Sequence, residues 1–194
     1  MEVEPLIYYD VRTNPPQRCY FCKRLIFGHL REIAGAKNIV HLLDGTNVDD
    51  LHDYRPGHKA LKELGVLSPL EEAGFTKADI RSLSQEMGLK TANKPSAACL
   101  ASRIPYGEEL TEAKLKRVAA AENFLHSAGF IQVRVRSHGD LARLELPVQD
   151  MKRFMAAGVY ERVTKKLKSL GFVYVALDLE GYRTGSLNQM VKGL

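Results

Sequence analysis

The apolar positions of this chain change their period several times, and each change marks an element. Leu6, Ile7, Tyr8, Tyr9 and Val11 crowd into a short run that predicts a strand near the start. Asn14-Pro15-Pro16 then signals a helix entry, with Asn14 as cap and proline in the first turn. Beyond it Cys19, Cys22, Ile26, Leu30 and Ile33 recur at intervals of three and four, on one helix face that Gly35 is expected to end. Residues 38–43, with Ile39, Val40, Leu42 and Leu43, read as a short, nearly continuous apolar strand, the kind buried on both faces of a parallel sheet. Asp44-Gly45-Thr46-Asn47 closes that strand, at the end where open α/β sheets place their ligands.

Residues 52–69 read as loop, marked by Arg55-Pro56-Gly57 and Ser68-Pro69. Thr76, with Asp79 three residues on, predicts a capping box and a helix to Gly88 with Ile80, Leu83 and Met87 as its stripe. A turn-rich stretch, Asn93-Lys94-Pro95-Ser96, leads to Cys99, and Ile104-Pro105-Tyr106-Gly107 is the candidate boundary. From residue 108 onward the chain reads α-β-β-α-β. Thr111 caps a helix to about Ser127; residues 131–136 alternate, with Ile131, Val133 and Val135 opposite Gln132, Arg134 and Arg136; residues 141–146 return. Glu161 to Leu170 is a basic amphipathic helix, and Phe172 to Leu177 a last apolar strand. The pattern predicts an α/β domain over 1–107 and a small α+β domain over 108–194.

Composition narrows the class. The 194 residues carry 28 basic and 23 acidic side chains, a net +5 that suits an anionic small molecule. No block of Lys and Arg resembles a nucleic-acid tail, so RNA stays a secondary reading. No stretch of 18 apolar residues predicts a membrane span, and the acidic start lacks the basic region of a secretory signal. A cytoplasmic protein is expected. Three cysteines argue against a disulfide framework and leave metal binding, catalysis or simple burial for Cys19, Cys22 and Cys99.

Cys19 and Cys22, three apart on a helix, point the same way and could share one metal or cluster. The rival reading makes them small hydrophobes on an apolar face. Zinc asks for four protein ligands, whereas three thiolates suit a [4Fe–4S] cluster with one open iron. Cys99 sits among small residues with Arg103 four positions on, a setting that favours a thiolate, unless it is a buried side chain in a tight turn. Glu122 occupies an apolar position in the stripe Leu115, Val118, Leu125, so it requires a partner; Arg134 and Arg136 are the candidates. Those arginines with Arg143 and Glu145 could bind a phosphate or anionic ring, although the alternation alone favours the solvated side of a ribbon.

Taken together, Asp44-Gly-Thr-Asn-x-Asp-Asp50, Asp53-Tyr-Arg-Pro-Gly57, Ala98-Cys-Leu-Ala-Ser-Arg-Ile-Pro-Tyr-Gly107, Val133-Arg-Val-Arg136 and Ala142-Arg-Leu-Glu-Leu-Pro147 resemble the LarE sulfur transferases. The resemblance implies a Rossmann-like PP-loop ATP pyrophosphatase domain followed by the smaller domain. It implies adenylylation, by ATP with Mg2+, of a carboxylate of pyridinium-3,5-biscarboxylic acid mononucleotide, and sulfur delivery to form a thiocarboxylate for the nickel-pincer cofactor of lactate racemase. By residue match, Asp44, Gly45, Thr46, Asn47 and Arg103 would serve the nucleotide side. Arg134 and Arg136 would meet the substrate phosphate, with Glu122 and Glu145 in the same pocket. Cys99 would be the catalytic cysteine, giving up its own sulfur in sacrificial members, or, with Cys19 and Cys22, would hold a [4Fe–4S] cluster.

The family's Ser-Gly-Gly-x-Asp-Ser loop, which cradles the ATP phosphates, has no counterpart in the 194 residues. The chain is therefore expected to lack an N-terminal segment and not to bind ATP in the family's manner alone. Homo-oligomers are the family's habit. A tRNA thiolase of the same superfamily and a non-catalytic fragment with structural cysteines are the alternatives.

Overall fold

The structure is a computed structural model that describes residues 3–52, 54–94, 98–183 and 185–190. Asp53 of the Asp53–Gly57 motif, and Pro95, Ser96 and Ala97 of the turn-rich stretch before Cys99, lie outside these residues. Helices and one small sheet make a mixed α/β chain of two compact units, divided between residues 96 and 97. Residues 98–107, grouped by sequence with the first part, fold into the second unit, where Ile104 is fully buried.

In the first unit the expected strand over Leu6–Val11 is replaced by a 3-10 turn, Pro5–Ile7, and one helical turn, α1 (Tyr9–Arg12). Ile7 and Tyr9 stay exposed and only Val11 is buried, so the run never acquires the neighbours a strand needs. Helix α2 (Arg18–Ala36) carries both predicted cysteines. It starts at Arg18, four residues past the expected Asn14 cap, and passes through Gly35. Asn14 instead takes a left-handed φ of 56° and accepts a hydrogen bond from the buried Arg18 guanidinium.

The region read as loop holds α3 (Gly57–Glu63) and, at its end, α4 (Pro69–Glu72). Gly57 lets α3 approach α2: a Cβ there would stand 3.3 Å from the Cys19 carbonyl oxygen and 2.8 Å from the Lys23 side chain. Helix α5 (Lys77–Glu86) has the predicted box, Thr76 Oγ1 accepting from the Asp79 amide and Asp79 Oδ2 from the Thr76 amide. Residues 38–43 form no strand. One parallel bridge joins Leu43 to Leu67, and Val40 is 85% exposed. Among the described residues the segment has nothing further to pair with, and an unpaired run forms no ladder.

The second unit keeps its predicted order with one addition. Helix α6 (Glu112–Ser127) starts where the Thr111 hydroxyl accepts from the Lys114 amide. Strands β1 (Arg134–His138) and β2 (Leu141–Glu145) pair antiparallel, and β3 (Tyr174–Leu177) joins β2 in parallel. Between them lie the unforeseen α7 (Val148–Phe154) and then α8 (Val159–Ser169). Leu125, Val133, Val135, Leu144, Val163 and Leu167 pack into one core beneath the sheet. Ile131, counted with the alternating face, is exposed because β1 begins three residues later. No helix of the described residues is long and apolar enough to cross a membrane.

Candidate functional site

In the first unit the Asp44–Asn47 turn folds its polar groups inward. Asp44 Oδ1 accepts from the Ser68 hydroxyl (2.7 Å) and the Thr46 amide (3.2 Å), and Oδ2 from the Thr46 hydroxyl (2.5 Å). Burial pushes the Asp44 carboxyl up, but those hydrogen bonds and the Lys23 charge hold it, on balance, below its usual range. Asp50 is similar. Burial raises it, while Lys77, Arg55 and the Asn47 amide together lower it further. The Asn47 amide group gives one donor to Asp50 (2.9 Å), and its buried Oδ1 has no hydrogen-bond partner among the described residues. At Gly45 a Cβ would meet open space. Asp44, Thr46 and Asn47 thus brace the turn that holds the Leu43–Leu67 bridge.

Cys19 and Cys22 occupy the second and fifth positions of α2; both are thiols outside any disulfide, Cys19 exposed and Cys22 half-buried. The Arg18 guanidinium lies 3.8 Å from Cys19 Sγ.

Cys99 belongs to the second unit and immediately precedes the 3-10 turn Leu100–Arg103. Its side chain is exposed, but its backbone is held tightly. The Cys99 carbonyl accepts from the Ser102 amide (2.9 Å), the Ser102 hydroxyl (2.7 Å) and Arg103 Nη1 (3.3 Å). Arg103 is buried and forks Glu122, Nε to Oε1 at 2.8 Å and Nη2 to Oε2 at 3.0 Å. Glu122 therefore has its required partner, but it is Arg103 rather than Arg134 or Arg136. Its Oε1 also accepts from the Val135 amide (2.9 Å), which ties α6 to β1.

The face of the sheet turned from the core is where Arg134, Arg136, Arg143 and Glu145 stand. It is not the solvated ribbon that alternation favoured: Arg134 and Arg136 are buried and Glu145 is 0% exposed. Arg136 forks Glu145 (3.0 and 2.9 Å), and gives its other donors to the Ser102 carbonyl and the Ser186 hydroxyl, both at 2.6 Å. Ser186 in turn donates to Glu145 Oε1 (3.0 Å). Arg143 reaches Glu145 at 3.1 Å and Asp178 at 3.6 Å. Arg134 donates to the Val133 carbonyl and lies 5.3 Å from the Tyr182 ring centre. Burial first, and then the Arg103 and Arg136 charges, lower the Arg134 pKa against the pull of Tyr182 and Glu122. His138, on the same strand, is lowered by burial and by Arg143.

Arg103, Arg134, Arg136 and the partly exposed Arg143 outnumber Glu122, Glu145 and Asp178 here, and a local excess of positive charge suits an anionic ligand. The structure thus brings Cys99, Arg103, Glu122, Arg134, Arg136 and Glu145 into one unit. Cys19, Cys22 and the Asp44–Asn47 turn belong to the other. Sequence reading missed Ser102, Asp178 and Ser186 as members of this network. Ser186 lies 41 residues from Glu145, and no local pattern announces so distant a contact.

No family model matches the chain. It is 46% identical to an uncharacterized protein of Synechocystis over 179 residues, 92% of this chain and 67% of that protein. It is 44% identical over 178 residues to the pyridinium-3,5-bisthiocarboxylic acid mononucleotide synthase of Lactiplantibacillus plantarum, 92% of this chain and 64% of the synthase. An uncharacterized protein of Methanocaldococcus jannaschii is 33% identical over 171 residues, 88% of this chain and 66% of its own length. The chain spans about two thirds of the length of these curated relatives.

Proposed function

The chain belongs to the LarE-like family that these relatives represent, and on that premise we propose that it serves sulfur transfer to pyridinium-3,5-biscarboxylic acid mononucleotide. The observation that carries this reading is the 44% identity to the synthase across 92% of the chain. The second unit's arginine-rich face and its exposed Cys99 support it.

In the proposed reaction, ATP with Mg2+ activates a substrate carboxylate as an acyl adenylate, releasing pyrophosphate. Arg134 and Arg136 hold the mononucleotide phosphate by charge and hydrogen bonding. Cys99 Sγ attacks the acyl carbon, the C–O bond to AMP breaks, and AMP leaves with the electron pair. Loss of the Cys99 Cα proton and cleavage of its Cβ–Sγ bond then release the thiocarboxylate and leave dehydroalanine. The first unit would form part of a Rossmann-like PP-loop domain, with Asp44–Asn47 on the nucleotide side; the parallel Leu43–Leu67 bridge is compatible with that architecture.

Three free thiols are the ligand type an iron–sulfur cluster takes, although among the described residues no three Cys, His, Asp or Glu side chains are gathered as a metal site. Cys19, Cys22 and Cys99 would hold a [4Fe–4S] cluster, which when bound would supply the transferred sulfide in place of the cysteine's own sulfur. Thiols outside any disulfide are also consistent with a reducing cytoplasm, where we propose the protein works as a homo-oligomer.

Titration calorimetry with the biscarboxylate mononucleotide tests the substrate assignment. Binding that weakens at least about tenfold in Arg134→Gln would support it, by the loss of one charge-assisted phosphate contact. Binding that is undetectable, or indifferent to Arg134→Gln and Arg136→Gln, would overturn it.

A further inference from the structure

The family resemblance would put Glu122 in the substrate pocket, yet its surroundings describe a different task. A carboxylate offers about four acceptor positions. Glu122 is buried and three of those positions are filled, two by Arg103 and one by the Val135 amide. The two-point fork fixes the plane of the Arg103 guanidinium. Within that plane the remaining nitrogen, Nη1, is turned onto the backbone before and at the cysteine. It donates to the Ala98 carbonyl at 3.1 Å, the Cys99 carbonyl at 3.3 Å and the Ser102 hydroxyl at 2.8 Å. The other end of the same 3-10 turn is held by Arg136, whose Nη1 takes the Ser102 carbonyl at 2.6 Å while its fork grips Glu145.

We propose that Glu122 is a positioning residue: through Arg103 it sets the backbone of Cys99, so that an exposed thiol is presented from a rigid frame. The inference rests on the reading of Cys99 as the sulfur-handling residue. Two features separate it from ordinary structural support. Arg103 touches Ala98 and Cys99 through their carbonyl oxygens, so it governs the direction of the chain and leaves the sulfur unobstructed. The frame is also built twice, from Glu122–Arg103 and from Glu145–Arg136, with the carboxylates on α6 and β2 respectively. Fixing a reacting group in advance lowers the entropy that the reaction must lose. Glu122 acts, on this reading, with no atom on the substrate.

The test uses the full chain with Cys19→Ser and Cys22→Ser, so that Cys99 alone accepts a nitroxide spin label. Glu122→Gln keeps the shape but loses the charge; Arg103→Lys keeps the charge but loses the fork. Phe154→Leu, in the packed core away from the turn, serves as the control for general loss of stability. With variants compared at matched distance below their melting temperatures, both Glu122→Gln and Arg103→Lys should narrow the label's spectrum. Both should also speed hydrogen exchange at the Ser102 amide by about tenfold or more, as local opening requires. Phe154→Leu should do neither. If Glu122→Gln leaves label mobility and Ser102 exchange unchanged, or if Phe154→Leu matches it, the positioning role is overturned. These readouts need no turnover, so they fail or succeed independently of sulfur transfer. In single-turnover sulfur transfer, Glu122→Gln should lower the rate constant at saturating substrate with the half-saturating concentration nearly unchanged; a rise in that concentration alone would make Glu122 a substrate contact and overturn the proposal.

Discussion

The second unit buries carboxylate–guanidinium forks over a core of large apolar side chains, whereas more of the first unit's large apolar side chains stay exposed. Around β1 and β2, Glu122, Glu145, Arg103 and Arg136 are buried in paired forks above a core that includes Leu125, Leu144 and Leu167. In the first unit Tyr9, Val40, Leu43 and Met87 are exposed, and its buried side chains are mostly small, such as Ala34 and Ala60. A buried ion network is costly to desolvate and survives only where geometry saturates every charge. The Arg103–Glu122 and Arg136–Glu145 pairs meet that condition, because each is a two-point fork and a packed core holds the sheet still. The first unit relies on helix caps and a polar turn, devices worth far less apiece.

On that contrast the largest single effect is expected at Glu145. Glu145→Ala would leave Arg136 and Arg143 without their shared carboxylate, and should destabilise the second unit by about 3–5 kcal/mol in chemical denaturation. The same truncation made in both units gives the next comparison. Leu125→Ala, in the core, should cost about 2–5 kcal/mol by opening a cavity, whereas the exposed Leu83→Ala should change stability by about 0.5 kcal/mol or less. Equal costs would erase the distinction. Below these comes Thr76→Ala, which removes the cap of α5 and should weaken the first unit by about 1 kcal/mol, read from hydrogen exchange in residues 77–86.

The smallest effect concerns pH. Burial, with the charges of Lys23 and Arg55, holds His58 below its ordinary value of 6.5, outweighing Glu71 and Asp50. The folded state therefore resists protonating it. Its stabilising share is complete above pH 6.5 and declines as pH falls toward the lowered folded value. Exchange protection in the first unit should weaken across that range, and His58→Asn should flatten the slope. Asp44 and Asp50 act in more acid solution. Their folded values lie below 3.8, so their contribution is full above about that pH and is lost below it.

Much of the second unit was legible in the sequence because its periods are clean and its caps are local. Thr111 before α6, and the alternation of Val133 and Val135 against Arg134 and Arg136, need no distant information. The first unit was harder. Runs such as Leu6–Val11 and Ile39–Leu43 have the composition of strands, but strand formation depends on a neighbour, which composition does not supply. At the candidate site, the apolar stripe announced that Glu122 needed a cation. Which cation it took was decided by the path of residues 98–103, held by bonds between side chains and carbonyls that leave no periodic trace.

The central claim is that Cys99, framed by Glu122–Arg103, handles the transferred sulfur. Its most direct measurement is mass spectrometry of the adenylylated mononucleotide after anaerobic incubation with the protein, beside Cys99→Ala. Replacement of a carboxylate oxygen by sulfur is expected with the native chain and none with Cys99→Ala. Thiocarboxylate formed equally by both proteins, or by neither, would contradict it.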